Sequence, residues 1–415
     1  MASHSIELAE SDQRMPSGLR SLGGKLAGLG VLLTAAGVGL AYATGGFKFF
    51  QFSYLTAYAF ALTVTMGGLV FLLIQHVFRA SWSVAVRRIA ESMVRLMPIV
   101  ALLFLPVLLP VLFARESMYH VFEWMDPAFV QADAEFMPSK QVVYEHYLNP
   151  NFFVVRIVGY FVIWMLLARF FTRNSSRQDE SGDLKLTRRM EIFAAPSIPI
   201  FALTLTFFGF DVIMSLDPHW FSTIFGVYLF AGGLMSFMSL LALLCMTYQR
   251  NGALKTVIRP DHYHDIGKLM FAFIVFWSYI AFSQYILIWY AHVPEEITFY
   301  FKRQNNGWEW LSVTLIFGHF VVPFLGILSK HVKRHKPALA FWAVWLLVMH
   351  LLDIFWLVMP NYEPYGSVPA PWAVLLMAPG LLVLLAGLGI LSASSRSIVA
   401  LRDPRLGDSL AYHNV

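Results

Sequence analysis

The chain has 415 residues, 58% of them hydrophobic and only 13% charged, so it cannot clothe a soluble globule in polar side chains. Its formal charge of +5 does not point to nucleic acid, because the basic residues sit in short stretches between apolar runs and not on one face of a soluble domain. The single cysteine, Cys245, lies inside an apolar run, which excludes an intramolecular disulfide and any CxxC metal site built by this chain alone.

Ten apolar runs approach the roughly 20 residues needed to cross about 30 Å of hydrocarbon. The predicted spans are Leu26–Ala43, Ser53–Gln75, Met93–Phe113, Phe152–Phe171, Ile192–Met214, Phe221–Thr247, Lys268–Tyr290, Trp310–Leu328, Ala338–Val358 and Ala373–Leu391. Runs of this length must be helices, which satisfy their own backbone polar groups in lipid. The first is short, glycine-rich and followed by A-Y-A at 41–43, the pattern of a cleaved signal peptide. The long, partly acidic leader before it argues for a retained helix.

Lysine and arginine gather in the N-terminal segment, in alternate loops and in the C-terminal tail. Only Lys48, Arg115, Lys140, Lys302 and Arg303 fall in the opposite loops, with Arg156 inside a span. The positive-inside rule then predicts that both termini are cytoplasmic. The third loop, Ala114–Asn151, is the longest. It faces outward and carries Glu116, Glu123, Asp126, Asp133, Glu135 and Glu145 among several aromatics, as a partner-binding or lid segment would.

Sliding the second half of the chain over the first gives matches in the same order on four successive helices. Phe52-Ser53 meets Phe221-Ser222, Arg95-Leu96-Met97 meets Lys268-Leu269-Met270, Gly159-Tyr160-Phe161-Val162 meets Gly318-His319-Phe320-Val321, and Asp211 to Pro218 meets Asp353 to Pro360. An offset of four helices keeps both copies in the same orientation, a parallel repeat. The expected fold is an all-α polytopic membrane protein of about ten helices. It comprises a cytoplasmic segment 1–25, a peripheral helix 26–43, a first four-helix bundle 52–214, a second 221–360, a peripheral helix 371–394 and a cytoplasmic tail 395–415.

Ionisable groups within membrane spans are costly enough to be functional candidates. In the second bundle, His350 and Asp353 lie i, i+3 on one helix face. His319 comes out at similar depth, and Gln284 and Tyr285 sit nearer the outer end. Together they predict a polar, outward-opening track for protons. The competing readings are hydrogen bonding between helices, worth about 1 kcal/mol per pair, and a bis-histidine haem on His319 and His350. In the first bundle Asp211 is a second proton-pathway candidate and, with Arg156, a candidate structural ion pair, since intramembrane charges normally pair. Lys268 and Arg95 lie where long side chains snorkel. Asp217, His219 and Trp220 cap the hairpin between the fifth and sixth spans. With Glu295 and Glu296 they are candidates for a proton exit or a partner contact, or for a helix cap and aromatic belt. A quinol site would need an apolar cleft with polar groups and a base. The first bundle offers Asp211, Tyr160 and Tyr58 but no histidine at mid-membrane, His76 being at the inner end of its span.

Three runs carry a resemblance: S-L-D-P-H-W-F-S-T-I-F-G-V-Y-L-F-A-G at 215–232, F-W-S-Y-I-A-F-S-Q-Y-I-L-I-W-Y-A-H-V-P-E-E at 276–296, and V-M-H-L-L-D-I-F-W-L-V-M-P at 348–360. They resemble the ActF-type membrane subunits of bacterial alternative complex III, a respiratory quinol oxidoreductase whose large membrane subunits are similar to the NrfD-like anchors of polysulfide reductase. The resemblance implies a ten-helix protein of the bacterial inner membrane. It also implies partners: multihaem and monohaem cytochrome c subunits, an iron-sulfur subunit and a paralogous NrfD-like subunit, ActC, as the main quinol site. Lipids and menaquinol are further expected contacts. Haem c and iron-sulfur clusters then belong to partner subunits, with no cofactor held by this chain. The leading expectation is a subunit that supplies a proton half-channel. Direct quinol binding, a structural anchor and a secondary transporter are the alternatives.

Overall fold

The computed structural model describes residues 10–137 and 140–414, apart from the side chains of Glu10, Ser11, Phe136 and Glu295. The first nine residues of the 1–25 segment, positions 138–139 of the long loop, Val415 of the tail and the Glu295 side chain lie outside that description. Among the described residues all regular structure is helical. Nine helices are long and apolar enough to cross a membrane: α1 (Ser17–Val77), α2 (Val84–Phe113), α3 (Pro150–Ser181), α4 (Leu184–Leu216), α5 (Phe225–Arg250), α6 (Pro260–Ala291), α7 (Trp308–Ile327), α8 (Lys336–Asn361) and α9 (Trp372–Ala393). Large apolar side chains on α3, α4, α6 and α7, among them Val155, Leu166, Leu203, Leu287 and Leu325, point outward and are exposed. Such faces need cover by lipid or by another protein, and the long apolar helices mark a multi-pass membrane protein.

The first helix is 61 residues long, and straight it would measure about 91 Å. Its two ends nevertheless meet the same short piece of tail. Ile398 donates its N–H to the Gln13 carbonyl, and the Ser409 hydroxyl donates to the Trp82 carbonyl. Roughly eleven residues separate 398 from 409, a reach of at most about 40 Å. The helix must therefore fold back on itself. It does so at Gly45 (φ −149°, ψ 18°) and Gly46 (φ 64°, ψ −155°), where the backbone leaves helical geometry. Gly46 takes a positive φ that a residue with a Cβ adopts only at a cost.

The arm before this turn runs antiparallel to α9 in backbone contact. A Cβ on Gly30 would sit 2.4 Å from the Leu384 nitrogen, and one on Gly380 would sit 2.7 Å from the Thr34 nitrogen. Small residues let membrane helices approach this closely, where van der Waals packing replaces the hydrophobic drive that lipid cannot supply.

The arm after the turn packs on α2, whose helix is interrupted into Val84–Val94, Met97–Leu102 and Leu105–Phe113. Pro98 and Pro106 open the second and third segments, since proline cannot supply the N–H an unbroken helix needs. Tyr54 and Tyr58 donate to the Leu103 and Val100 carbonyls at 2.6 and 2.9 Å. The remaining spans are joined by side chains. Trp164 of α3 donates to Thr204 of α4, and Trp345 of α8 donates to the Gly318 carbonyl of α7.

Gln13 and the tail segment 398–414 lie on one side of this array, the terminal end. The tail is not a free extension there. Buried Arg87 donates to Asp403 at 2.6 Å and to Glu91 at 3.3 Å, and Asn414 donates to Asp261 and Asp265. The long loops occupy the opposite, loop-rich end.

Candidate functional site

Near the middle of α8, His350 and Asp353 lie 1% exposed, with His319 of α7 at 0%. Asp353 accepts from the Tyr228 hydroxyl of α5 and from the Trp277 indole of α6 at 3.1 Å. Three helices thus converge on one carboxylate. The His350 imidazole rests against Gly232, where a Cβ would come within 2.8 Å of the ring. Its Nδ1 is 3.9 Å from Asp353 Oδ2, too far for a hydrogen bond.

His350 has one further polar contact. Thr63, on the returning arm of α1, has its hydroxyl 2.9 Å from His350 Nε2. That hydroxyl also lies 2.9 Å from the Ala59 carbonyl and 3.0 Å from the Phe60 carbonyl of its own helix. A hydroxyl has one proton to give, so it either accepts from Nε2–H while bonding its own helix or donates to Nε2. Nδ1 is buried and without a hydrogen-bond partner, on the side of the ring that faces Asp353.

His319 lies beside this pair. Both of its ring nitrogens are buried without a hydrogen-bond partner, and its ring lies 3.8 Å from that of Trp277, centroid to centroid. The backbone that carries it, Leu315–Val321, is π-helical, a local widening common at functional sites. Buried, unpaired imidazole nitrogens in hydrocarbon cost free energy unless proton exchange or water satisfies them. Trp277 lies against the face of the His319 ring, and Thr63 lies against His350 Nε2.

Aromatic rings lie between this cluster and the loop-rich end. Above Tyr228, Phe225 stacks parallel to it, Trp220 meets Phe225 edge-on, and Phe299 stacks on Trp220 at 3.9 Å. This aromatic column stands between the cluster and the loop-rich end. Gln284 does not join the histidines. It accepts from Ser222 at 3.0 Å and donates to the Tyr300 hydroxyl at 3.2 Å, about two turns beyond Trp277 on the same helix. Tyr285 meets the Tyr300 ring edge-on at 5.0 Å.

Asp211 stands apart, between α3 and α4. Arg156 grips it bidentately at 2.9 and 2.8 Å, and Tyr160 donates to it at 2.8 Å. The guanidinium also lies over the Tyr147 and Phe152 rings. The carboxylate is thus saturated by its ion pair, unlike that of Asp353.

At the loop-rich end Lys302 donates to Asp217 at 2.7 Å. His219 Nδ1 lies 2.7 Å from Lys140 Nζ and 3.6 Å from Asp133, which ties the long third loop to the hairpin. Glu123 of that loop is near Lys302 and Asp217. Burial raises its pKa, while Lys302 pulls the other way. Glu296 sits half-buried in the short helix Pro294–Phe301.

Sequence reasoning missed Arg303. It is 1% exposed and donates to the Phe299, Trp356 and Leu357 carbonyls, with its guanidinium 3.5 Å from the Phe299 ring centre. Burial lowers its pKa to about 9, against the pull of Asp217, so it remains charged at neutral pH. It also missed Tyr228, Trp277 and Thr63, the groups that contact Asp353 and His350. Only the Y-x-x-x-G spacing of Tyr228 and Gly232, which sets both one turn apart on one face of α5, was available as a signal.

No protein-family model matches the chain, and no curated protein matches it.

Proposed function

We propose that this protein is a membrane subunit of a quinol-oxidising respiratory assembly and that Asp353, His350 and His319 exchange protons within it. The observation that carries the proposal is His350 Nδ1, buried without a hydrogen-bond partner and 3.9 Å from Asp353 Oδ2 in an otherwise apolar interior. When Asp353 is protonated, an approach of about 1 Å brings its O–H within hydrogen-bond range of Nδ1. When it is ionised, Tyr228 and Trp277 hold it by donation. A carboxyl that can be stabilised in both states beside an imidazole is suited to relaying protons. The π-helical turn at His319 supplies the local freedom for the next transfer. The exit is through the loop-rich end, past the aromatic column to Tyr300, Gln284, Ser222 and Asp217.

We read the architecture as ten crossings, with the reversal at Gly45–Gly46 counting α1 twice. Residues 47–77 with α2, α3 and α4 make one four-helix group, and α5 to α8 make the other. The arm 17–44 and α9 clasp them from outside. Asp211 and Asp353 occupy corresponding places, and the saturation of Asp211 supports assigning proton exchange to the second group alone. The implied haem c, iron-sulfur and ActC-like partners, and the placement of both termini in the cytoplasm, belong to this proposal.

Two measurements test it. A tag on the C-terminal tail should bring down haem c absorbance and several subunits in mild detergent; a colourless, solitary, folded protein would refute the assembly. In an assembled Asp353→Asn variant, quinol oxidation should persist while the accompanying proton movement is lost. Undiminished proton movement would refute the pathway.

A further inference from the structure

At the terminal end, where α2, α3, α5 and the tail meet, the structure encloses a cavity of about 10 Å³ lined by Arg88, Ser92, Arg95, Tyr248, Arg396 and Ser397. This volume admits a single oxygen-sized atom. Arg88 and Tyr248 are 5% and 1% exposed, while Arg396 is exposed at the mouth. Two buried donors around the cavity have no hydrogen-bond partner, Arg88 Nε and Arg95 Nε, and the Tyr248 hydroxyl beside them has only the Ser92 hydroxyl within reach. Unsatisfied donors on charged side chains are costly when buried, so this group is built to receive an acceptor.

The surrounding charges favour an anion. Arg88 engages Glu91 and Asp179, Arg87 engages Glu91 and Asp403, and Arg95 and Arg396 both donate to the neutral Ser176 hydroxyl. Four guanidinium groups therefore face three carboxylates, and the two without an acidic hydrogen-bond partner stand at the cavity. Guanidinium groups recognise phosphate through planar, multiple donation. The site also lies at the ends of membrane helices on the arginine-rich side, where basic pockets between helices take lipid head groups.

We propose that this pocket binds a phosphate group, with one oxygen inserted between Arg88, Arg95 and Tyr248 and the remainder held at the mouth by Arg396. The chemistry is shared by an anionic phospholipid head group and by inorganic phosphate. Seated there, the anion ties α2 and α5 to the tail and completes the docking begun by Arg87 and Asp403.

The test uses the full chain, with whatever subunits accompany it, exchanged into detergent until lipid is depleted. Thermal unfolding is followed while titrating phosphatidylglycerol, inorganic phosphate at constant ionic strength, or a galactosyl diacylglycerol that carries no phosphate. Stabilisation by phosphatidylglycerol alone identifies a head-group site, and an equal effect of inorganic phosphate identifies a free-anion site. In either case Arg396→Gln, which removes only an exposed side chain, should weaken the apparent affinity about fivefold, the loss expected for one arginine at about 1 kcal/mol. Equal stabilisation by the phosphate-free lipid, no stabilisation by any ligand, or an unchanged affinity in both Arg396→Gln and Arg95→Gln would overturn the proposal.

Discussion

Replacing Arg156 by methionine tests how the ion pair between α3 and α4 is held. Asp211 is fully buried and accepts three hydrogen bonds, two from Arg156 and one from Tyr160. Methionine keeps much of the side-chain volume but leaves a carboxylate in the membrane interior with Tyr160 alone. Breaking a buried pair in this way costs about 3–5 kcal/mol, and the lost contacts over Tyr147 and Phe152 add up to about 1 kcal/mol. Removing the acid as well, in Arg156→Met with Asp211→Leu, leaves no uncompensated charge. That double variant should recover at least about 2 kcal/mol, since apolar replacement of a whole buried pair is often neutral. Unfolding in mixed detergent micelles, titrated with dodecyl sulfate and followed by tryptophan fluorescence, gives the free energies. A single variant within about 1 kcal/mol of the parent, or a double variant no more stable than the single, would show that Arg156 does not compensate Asp211.

Gly30→Leu should separate the first arm of α1 from α9 and lower the unfolding temperature markedly, because even its Cβ would clash with the Leu384 backbone; Gly18→Leu, with open space around it, should leave the temperature unchanged. Burial alone would raise the Asp403 carboxyl, but the Arg87 guanidinium, with Arg405, holds it at about 2, below the roughly 3.9 of an unfolded aspartate. Its contribution, about 2 kcal/mol, is therefore fully present above pH 4 and is lost as pH falls through 2. Amide exchange across 398–410 should accelerate over that window, and in Asp403→Asn the step should disappear.

The spans were legible because lipid makes their apolar length obligatory, and the charge asymmetry of the loops reports on lysine and arginine placement alone. The reversal in α1 was legible only as a gap between Ala43 and Ser53, since nothing local reveals that Gly46 takes a positive φ. Asp353 and His350 stood out as ionisable groups in hydrocarbon. Thr63 did not, although it contacts His350 Nε2, because it comes from a helix some 290 residues away and a threonine in an apolar span is ordinary. Arg303 read as a loop residue by its neighbours in sequence; its burial is decided by Phe299 and Trp356, which close over it from two different elements. The tail read as a polar extension because its partners, Arg87 and Asp261, are themselves charged and would be expected in water. The internal repeat gave Tyr160 and His319 as equivalents, yet Tyr160 bonds its aspartate whereas His319 lies on Trp277, a difference of side-chain packing that alignment of the two halves cannot carry.

The antiparallel pairing of the first arm with α9 has a consequence for biosynthesis. Leu384 is made about 350 residues after its contact Gly30. At 5–20 residues per second, the glycine-lined face of the arm waits roughly 20 to 70 s for its mate. During that interval the helices between them must be inserted without another claiming the vacant groove. The arm is thus closed by α9 after all of these helices, and a truncation that spares Asp353, His350 and His319 but removes α9 leaves the first arm unlatched.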